Sequence, residues 1–308
     1  MNKGTNTLSI DIREDYLLKK GQLLDILLQD KTTGNTILWA TDSYCSNGEI
    51  FAPNACITAD LVTGKYGKLI QPRAVKSKEE QLARTREKAE VFTPLSIVKQ
   101  MNDACDPMGI TKNNWQEYVA LLKLEITCGE APFIVSRYDP ISDKQALLPL
   151  SKRVGFLDKK LRTVSKYNDN KEDWFRWAKM AFQSSYGYEW QGDSLLIARE
   201  NLLYIFIDYY TDKLKKTPSL ALQKEIAEII AWNTFQMDGL KYVIPMSCKT
   251  ETIVVKGEAT LFGNEEDQII ERACEGCEKN LSKTHNGIYA KTMDWVKGEV
   301  IRFVDIVG

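Results

Sequence analysis

With 308 residues, 44% of them hydrophobic and 27% charged, the chain has the composition of a globular protein, enough for one large domain with additions or two modest ones. A formal net charge of −1 excludes a molecule that holds nucleic acid by bulk electrostatics, and no apolar run approaches the ~18 residues of a membrane helix. The charged N-terminus (Asp11, Arg13, Glu14, Asp15) lacks a signal-peptide core, so the expectation is a soluble cytoplasmic protein whose seven cysteines are thiols or metal ligands rather than a disulfide frame.

In chain order, Tyr16 to Leu28 has helical spacing and Thr32-Thr33-Gly34-Asn35 predicts a hairpin turn. Between Lys65 and Lys88, eight cations (Lys65, Lys68, Arg73, Lys76, Lys78, Arg84, Arg86, Lys88) stand against Glu79, Glu80 and Glu87. Such a stretch can track a phosphate backbone; the interleaved acids make a solvated helix face the simpler reading. Thr93-Pro94 predicts a helix start, Thr as cap and Pro in the first turn, with Ile97, Val98 and Met101 as the apolar face. Leu121 to Thr127 is a strand candidate that runs into Cys128-Gly129. A polar, turn-rich stretch follows from Tyr138 to about Lys171. Ser185 to Trp190 predicts a second strand, Ser194 to Asp212 an amphipathic helix, Leu220 to Trp232 another helix, and Phe235 to Met237 a third strand closing at Asp238-Gly239. This order is that of an α/β molecule with a parallel sheet covered by helices. The aromatic stripe Tyr204, Phe206, Tyr209, Tyr210 reads as core, and Cys128 as a small buried thiol.

Three acids, Glu125, Glu189 and Asp238, stand at or just after the ends of predicted strands. Ligands of open α/β sheets sit outside the carboxyl ends of the strands. There a carboxylate can accept from a ligand amine, from both hydroxyls of a ribose, or from the exocyclic amine of adenine.

Phe92-Thr93-Pro94 before a helix, Leu124-Glu125-Ile126-Thr127-Cys128-Gly129 with Phe133, Gly187-Tyr188-Glu189, and Asn233 through Asp238-Gly239-Leu240 together resemble successive cofactor-site motifs of N6-adenine DNA methyltransferases. Most of the chain also resembles proteins labelled restriction endonuclease subunit M. The resemblance implies a Rossmann-like class I S-adenosylmethionine-dependent methyltransferase fold: an N-terminal extension with the basic stretch (1–90), a cofactor-binding core (91–245) with an insertion around 138–179, and a C-terminal segment (246–308). It implies that Phe92, Thr93 and Pro94 line the methionine end of the cofactor, and that Glu125 and Gly129 receive its carboxylate and amine. Glu189 then holds the ribose, Trp190 lies against the adenine, Met237 lines the same pocket and Asp238 takes the adenine amine. The implied partners are double-stranded DNA and a companion restriction–modification polypeptide, with no membrane.

The chain departs from that pattern at three places. Its turn reads Cys128-Gly129-Glu130-Ala131-Pro132-Phe133, where the family carries a second glycine, and Glu130 adds charge near a carboxylate-bearing ligand. Glu125 and Glu189 stand 64 positions apart, wide for the family. No proline is followed by a second, so the family's Asn/Asp-Pro-Pro-aromatic loop, which holds the flipped target base, is absent and no catalytic residue is assigned. Ile301 to Gly308 resembles the strand that leads into that loop. The chain is then either a fragment or split half of an enzyme, or a short protein that keeps cofactor binding without transfer; the alternative function is a non-catalytic binding or docking module.

Cys274-Glu275-Gly276-Cys277 has metal-ligand spacing, with His285, the only histidine, eight positions on and Cys248 a candidate fourth ligand. A lone CxxC is also found as plain thiols; as a metal site it predicts a structural Zn²⁺ stapling a small C-terminal segment. Gly257 to Gly263 lacks the Lys-Ser/Thr pair of a phosphate-cradling loop.

Overall fold

The computed structural model describes residues 14–19, 22–88, 93–106, 109–141, 146–255, 259–260, 263–264 and 268–307. It opens with two short helices, α1 (Glu14–Lys19) and α2 (Leu23–Leu28), where the spacing predicted one. Gln22, in the left-handed region at φ 66°, stands just before α2. The Asp30 carboxylate accepts from the N–H groups of Thr32 and Thr33, and Gln29 bridges to Thr36, which is the predicted turn. Single helical turns follow, gathered around Trp39, Tyr44 and Phe51. Helix α3 (Lys78–Lys88) begins with a reciprocal cap: Ser77 N–H donates to the Glu80 carboxylate and Glu80 N–H to Ser77 Oγ.

Helix α4 (Leu95–Ala104) corrects the start predicted at Thr93-Pro94. Pro94 is itself the cap residue, extended at ψ 142°, and its carbonyl accepts from Ile97 and Val98 without help from a side chain. Val98 alone of the expected apolar face is buried; Ile97 and Met101 are exposed. Polar contacts hold this helix down as well, since the Asn102 amide donates to the carbonyls of Phe133 and Val154.

After α5 (Trp115–Ala120) comes β1 (Lys123–Glu125), the first strand of a three-stranded parallel sheet in the order β1, β2 (Ser185–Glu189), β3 (Thr234–Gln236). Parallel neighbours need long crossovers. From β1 to β2 the chain passes through α6 (Phe156–Tyr167) and α7 (Lys171–Gln183), and from β2 to β3 through α8 (Gly192–Leu214) and α9 (Leu220–Asn233). Residues 156–183, much of the stretch read as an insertion, thus supply crossover helices whose Phe156, Leu161, Trp174 and Phe182 join the main core. That core also takes Leu23, Leu24, Leu27 and Leu28 of α2 and most of α8.

Two buried cations fasten the sheet. Arg199 of α8 donates to the carbonyls of Leu27, Gln29 and Thr234, binding α2 and β3 to the helix. Lys160 of α6 is fully buried, and its ammonium donates to Leu121 O, Ser184 O and Ser184 Oγ at the amino ends of β1 and β2. Burial drives the Lys160 amine well below its ordinary pKa, and its satisfied donors are what make so buried a polar group tolerable.

Side chains alternate across a strand, so Tyr188, Phe235 and Met237 face the other side of the sheet, where Ile244, Ala290 and Phe303 complete a second apolar cluster. The covering segment follows an antiparallel ribbon of β4 (Glu251–Val255) with β7 (Gln268–Arg272), between which lies the short pair β5 (Ala259–Thr260) and β6 (Gly263–Asn264). Helix α10 (Glu275–Lys279), the hairpin of β8 (Lys291–Asp294) with β9 (Glu299–Arg302), and α11 (Val304–Val307) complete the chain. Residues 299–307 therefore differ from the sequence reading: they are one arm of a hairpin and a helical turn, not a further parallel strand. No strand flanks the outer side of β1 among the described residues, and Leu122, Leu124 and Ile126 are exposed along it. No described helix is long and apolar enough to cross a membrane. The architecture is mixed α/β around a parallel sheet.

Candidate functional site

The register brings the three acids to one end of the sheet. Glu125 lies opposite Gly187, Glu189 opposite Gln236, and Asp238 two residues past Gln236. Cys128 N–H donates to Tyr188 O at 2.8 Å and Met237 N–H to Glu189 O at 3.0 Å, so the turns after β1 and β3 both close on the end of β2. All three carboxylates are buried.

Their oxygens are largely engaged by backbone. Glu125 accepts from the N–H groups of Phe133 and Ile134 at 3.2 and 2.9 Å, which rolls residues 126–134 into a ring over its own side chain. Burial pushes this carboxyl up to about 8, with the two N–H donors opposing and the Glu189 charge adding to the rise. Glu189 accepts from Gly129 N–H at 2.7 Å and from Gln191 N–H at 3.1 Å; burial raises it against those donors. Asp238 Oδ1 accepts from Leu240 and Lys241 N–H, an Asx turn, while Oδ2 faces Lys241 Nζ at 4.0 Å. A carboxylate has about four acceptor positions. Glu189 and Asp238 thus keep capacity beyond these bonds.

The ring carries backbone strain at alternate positions. Thr127, Gly129 and Ala131 have φ of 44°, 54° and 62°. A β-branched residue in the left-handed region is a genuine outlier, and such strain collects where a loop is shaped for binding. Gly187 belongs to the same arrangement: a Cβ there would stand 2.9 Å from Ile134 Cδ1.

The other predicted cofactor residues are more dispersed. Trp190 is half-buried, its indole N–H donating to Ala40 O at 2.8 Å. Met237 is fully buried in the second apolar cluster. Thr93 and Pro94 precede α4, and Phe92 lies outside the described residues. Glu130 is turned away from the rim, accepting from Arg73 N–H and from the Tyr138 hydroxyl, each at 2.7 Å. Cys128 is buried, as expected of a small thiol in the turn. Within the basic stretch, Arg84 pairs with the buried Asp193 at 2.7 Å, and Arg73 donates to Gln81 O and Thr85 Oγ1.

A second constellation lies in the C-terminal segment. Cys248, Cys274, Cys277 and His285 converge until their ligand atoms all lie within 4.8 Å of one another, a Cys3His cluster that can hold a metal ion. Each sulfur is 3.6 Å from His285 Nδ1. Cys274 is the cap residue of α10 and Cys277 lies in its first turn, which aims both thiols at one point. Two glycines permit the approach: a Cβ on Gly276 would stand 2.6 Å from His285 Nδ1, and one on Gly287 would stand 2.9 Å from Cys248 Sγ. Around the donors, Asn286 N–H donates to Cys274 Sγ and the Tyr289 hydroxyl accepts from His285 N–H. Burial opposes ionisation of Cys274, but the N–H groups of Asn286 and Cys277 with the His285 ring outweigh it and bring the thiol to about 6.

Lys241 follows the Asp238 turn, its Nζ 4.0 Å from Asp238 Oδ2. Nothing in the sequence singled it out, because a lysine after a strand-end turn has no distinctive spacing. Gly276 and Gly287 flank ligands and are legible only once the ligands are known. No protein-family model matches the chain, and neither a curated protein nor a solved structure matches it.

Proposed function

We propose that this chain binds S-adenosylmethionine across the carboxyl ends of β1, β2 and β3, in a class I methyltransferase-like fold. In this reading it serves as a component of a DNA adenine-N6 methyltransferase in a restriction–modification system, inactive alone because its sequence lacks the Asn/Asp-Pro-Pro-aromatic loop. The observation that carries the reading is the convergence of Glu125, Glu189 and Asp238 on adjacent parallel strand ends, beneath a strained loop whose Gly129 N–H meets Glu189. Glu189 would take the ribose hydroxyls with its remaining acceptor positions, and Asp238 Oδ2 the adenine amine. Burial raises Glu125 and Glu189 above their ordinary pKa, and the sulfonium and ammonium of this cofactor would stabilise their ionised forms on binding.

A companion chain carrying the target-base loop would have an edge to join, since no strand flanks the outer side of β1 among the described residues, and an apolar face beside it where Leu122, Leu124 and Ile126 are exposed. Duplex DNA is the substrate in this reading. A non-catalytic module docked on such an assembly is the alternative, and it uses the same rim and the same edge.

Calorimetric titration of S-adenosylmethionine tests the cofactor. Glu189→Ala or Asp238→Ala should cost ~2 kcal/mol, a tenfold or greater loss of affinity, and absence of heat with the unaltered protein refutes both readings. Methylation of duplex DNA on adding a companion chain then favours the enzyme component over the docking module.

We also propose that the Cys3His cluster holds Zn²⁺ as a structural staple. With Zn–S near ~2.3 Å and Zn–N near ~2.05 Å, the S···N edge of a tetrahedron is ~3.6 Å. The three sulfur–nitrogen distances of 3.6 Å equal that edge, and four protein donors leave no open coordination position for catalysis.

A further inference from the structure

Neither the carboxylate rim nor the Cys3His cluster uses the basic stretch from Lys65 to Lys88, yet part of that stretch walls a cavity of about 650 Å³. Sites of ~300–1,000 Å³ are usual for small-molecule ligands. Lys68 and Lys76, from the turns before α3, and Arg84, from α3 itself, bring three cations to the wall, and the loop of Ser43 and Tyr44 faces the same space. Gln71 adds a side-chain amide.

Backbone contacts hold these walls in place. The Trp190 indole N–H donates to Ala40 O and Gly192 N–H to Trp39 O, which ties the loop before Ser43 to the start of α8. Gln81 Nε2 donates to the carbonyls of Arg73 and Lys76 at 2.9 and 3.0 Å, fastening the last turn to α3. Arg73 N–H in turn meets the Glu130 carboxylate.

Charges around the cavity are answered unevenly. Asp193, fully buried, accepts from Arg84 and from the Tyr44 hydroxyl, each at 2.7 Å. Of the two acids in the wall, Glu80 accepts from Ser77 N–H at 2.9 Å, and Asp42 has a partner as well. The ammonium groups of Lys68 and Lys76 have no hydrogen bond or ion pair among the described residues. The acids are thus satisfied within the fold, whereas two cations are not. A carboxylate, with one charge, would answer one of them; a phosphate, with two charges and three acceptor oxygens, can answer both.

We propose that this cavity binds a phosphate group, held by Lys68 and Lys76 beside the fixed guanidinium of Arg84, with space left for the body of a nucleotide-sized ligand. The site is separate from the carboxylate rim and does not depend on the cofactor reading. The same chemistry would seat a small phosphorylated molecule or one phosphate of a nucleic-acid backbone.

The two sources are separated by titrating inorganic pyrophosphate, followed by calorimetry, and a short labelled DNA duplex, followed by anisotropy. The double variant Lys68→Gln/Lys76→Gln should weaken pyrophosphate at least tenfold. Glu80→Gln keeps an acceptor for Ser77 N–H and removes a repelling charge, so it should tighten pyrophosphate several-fold. Lys65→Gln is the control: this cation lies over the Tyr66 ring at 4.6 Å and does not line the cavity, and its loss should leave binding unchanged. Duplex binding that falls in the double variant and is competed by pyrophosphate assigns the phosphate to a nucleic-acid backbone; duplex binding indifferent to both assigns it to a small molecule. Binding of neither probe that depends on Lys68 and Lys76, or an equal loss in Lys65→Gln, would overturn the site.

Discussion

The carboxylate rim and the Cys3His cluster both gather polar side chains, yet they are completed in opposite ways. At the rim, backbone N–H groups of Phe133, Ile134, Gly129, Gln191, Leu240 and Lys241 already engage the acids. In the cluster, the three sulfurs and His285 Nδ1 point mainly at one another. The rim is internally satisfied and can keep its form without a ligand. Four facing donors, by contrast, leave the cluster's stability to whatever ion joins them.

The largest expected effect comes from breaking the cluster. Cys274→Ser should abolish stoichiometric zinc and destabilise the C-terminal segment by several kcal/mol, on the order of a lost structural site. A thermal melt checks this; chelator should lower the melting temperature of the unaltered protein and leave the variant unmoved. The sheet end opposite the rim comes next. Lys160→Met leaves Leu121 O, Ser184 O and Ser184 Oγ without their buried donor, at a cost of ~3 kcal/mol in a urea titration.

At the rim itself the signature is pH dependence. Glu125 ionises near 8 in the fold against 4.5 for the free side chain. Between those values the folded state holds a proton that the unfolded chain has lost. Stability from this group therefore falls as pH rises through the window, by up to about 1.4 kcal/mol per unit. Glu125→Gln should flatten the measured slope by one proton, and an unchanged slope would assign it to other groups. The smallest change expected is Tyr289→Phe, which leaves His285 N–H without its hydroxyl acceptor at 2.9 Å. It should cost ~1 kcal/mol, visible with metal present and weaker after chelation.

Much of the sheet was legible in the sequence because its strands end in acid or glycine turns, and α8 and α9 because long apolar runs persist between polar breaks. The crossover through α6 and α7 was not. Their buried faces include Asp158 and Lys160, and a buried lysine answered by carbonyls has the same one-letter signature as an exposed one. Ile301 to Gly308, read as a strand by resemblance, is one only at its start: Ile301 and Arg302 end β9, whereas Val304–Val307 form a helical turn whose Asp305 pairs with Arg302 at 2.8 Å. All four residues of the cluster were readable as candidates, Cys274, Cys277 and His285 by spacing and Cys248 as a possible fourth; the pairing of 242–248 with 285–290 is what carries Cys248 to the others. The rim acids were placed correctly at strand ends, but spacing does not tell that their oxygens meet backbone N–H groups, which depends on the strained ring at Thr127 and Ala131.

The most direct measurement is a crystal structure of the zinc-loaded protein grown with S-adenosylhomocysteine. The ribose hydroxyls should sit on Glu189 and the adenine amine on Asp238, with the homocysteine end under the 126–134 loop. A ligand seated elsewhere, or a rim whose Gly129–Glu189 contact persists with nothing bound at saturating concentration, would contradict it.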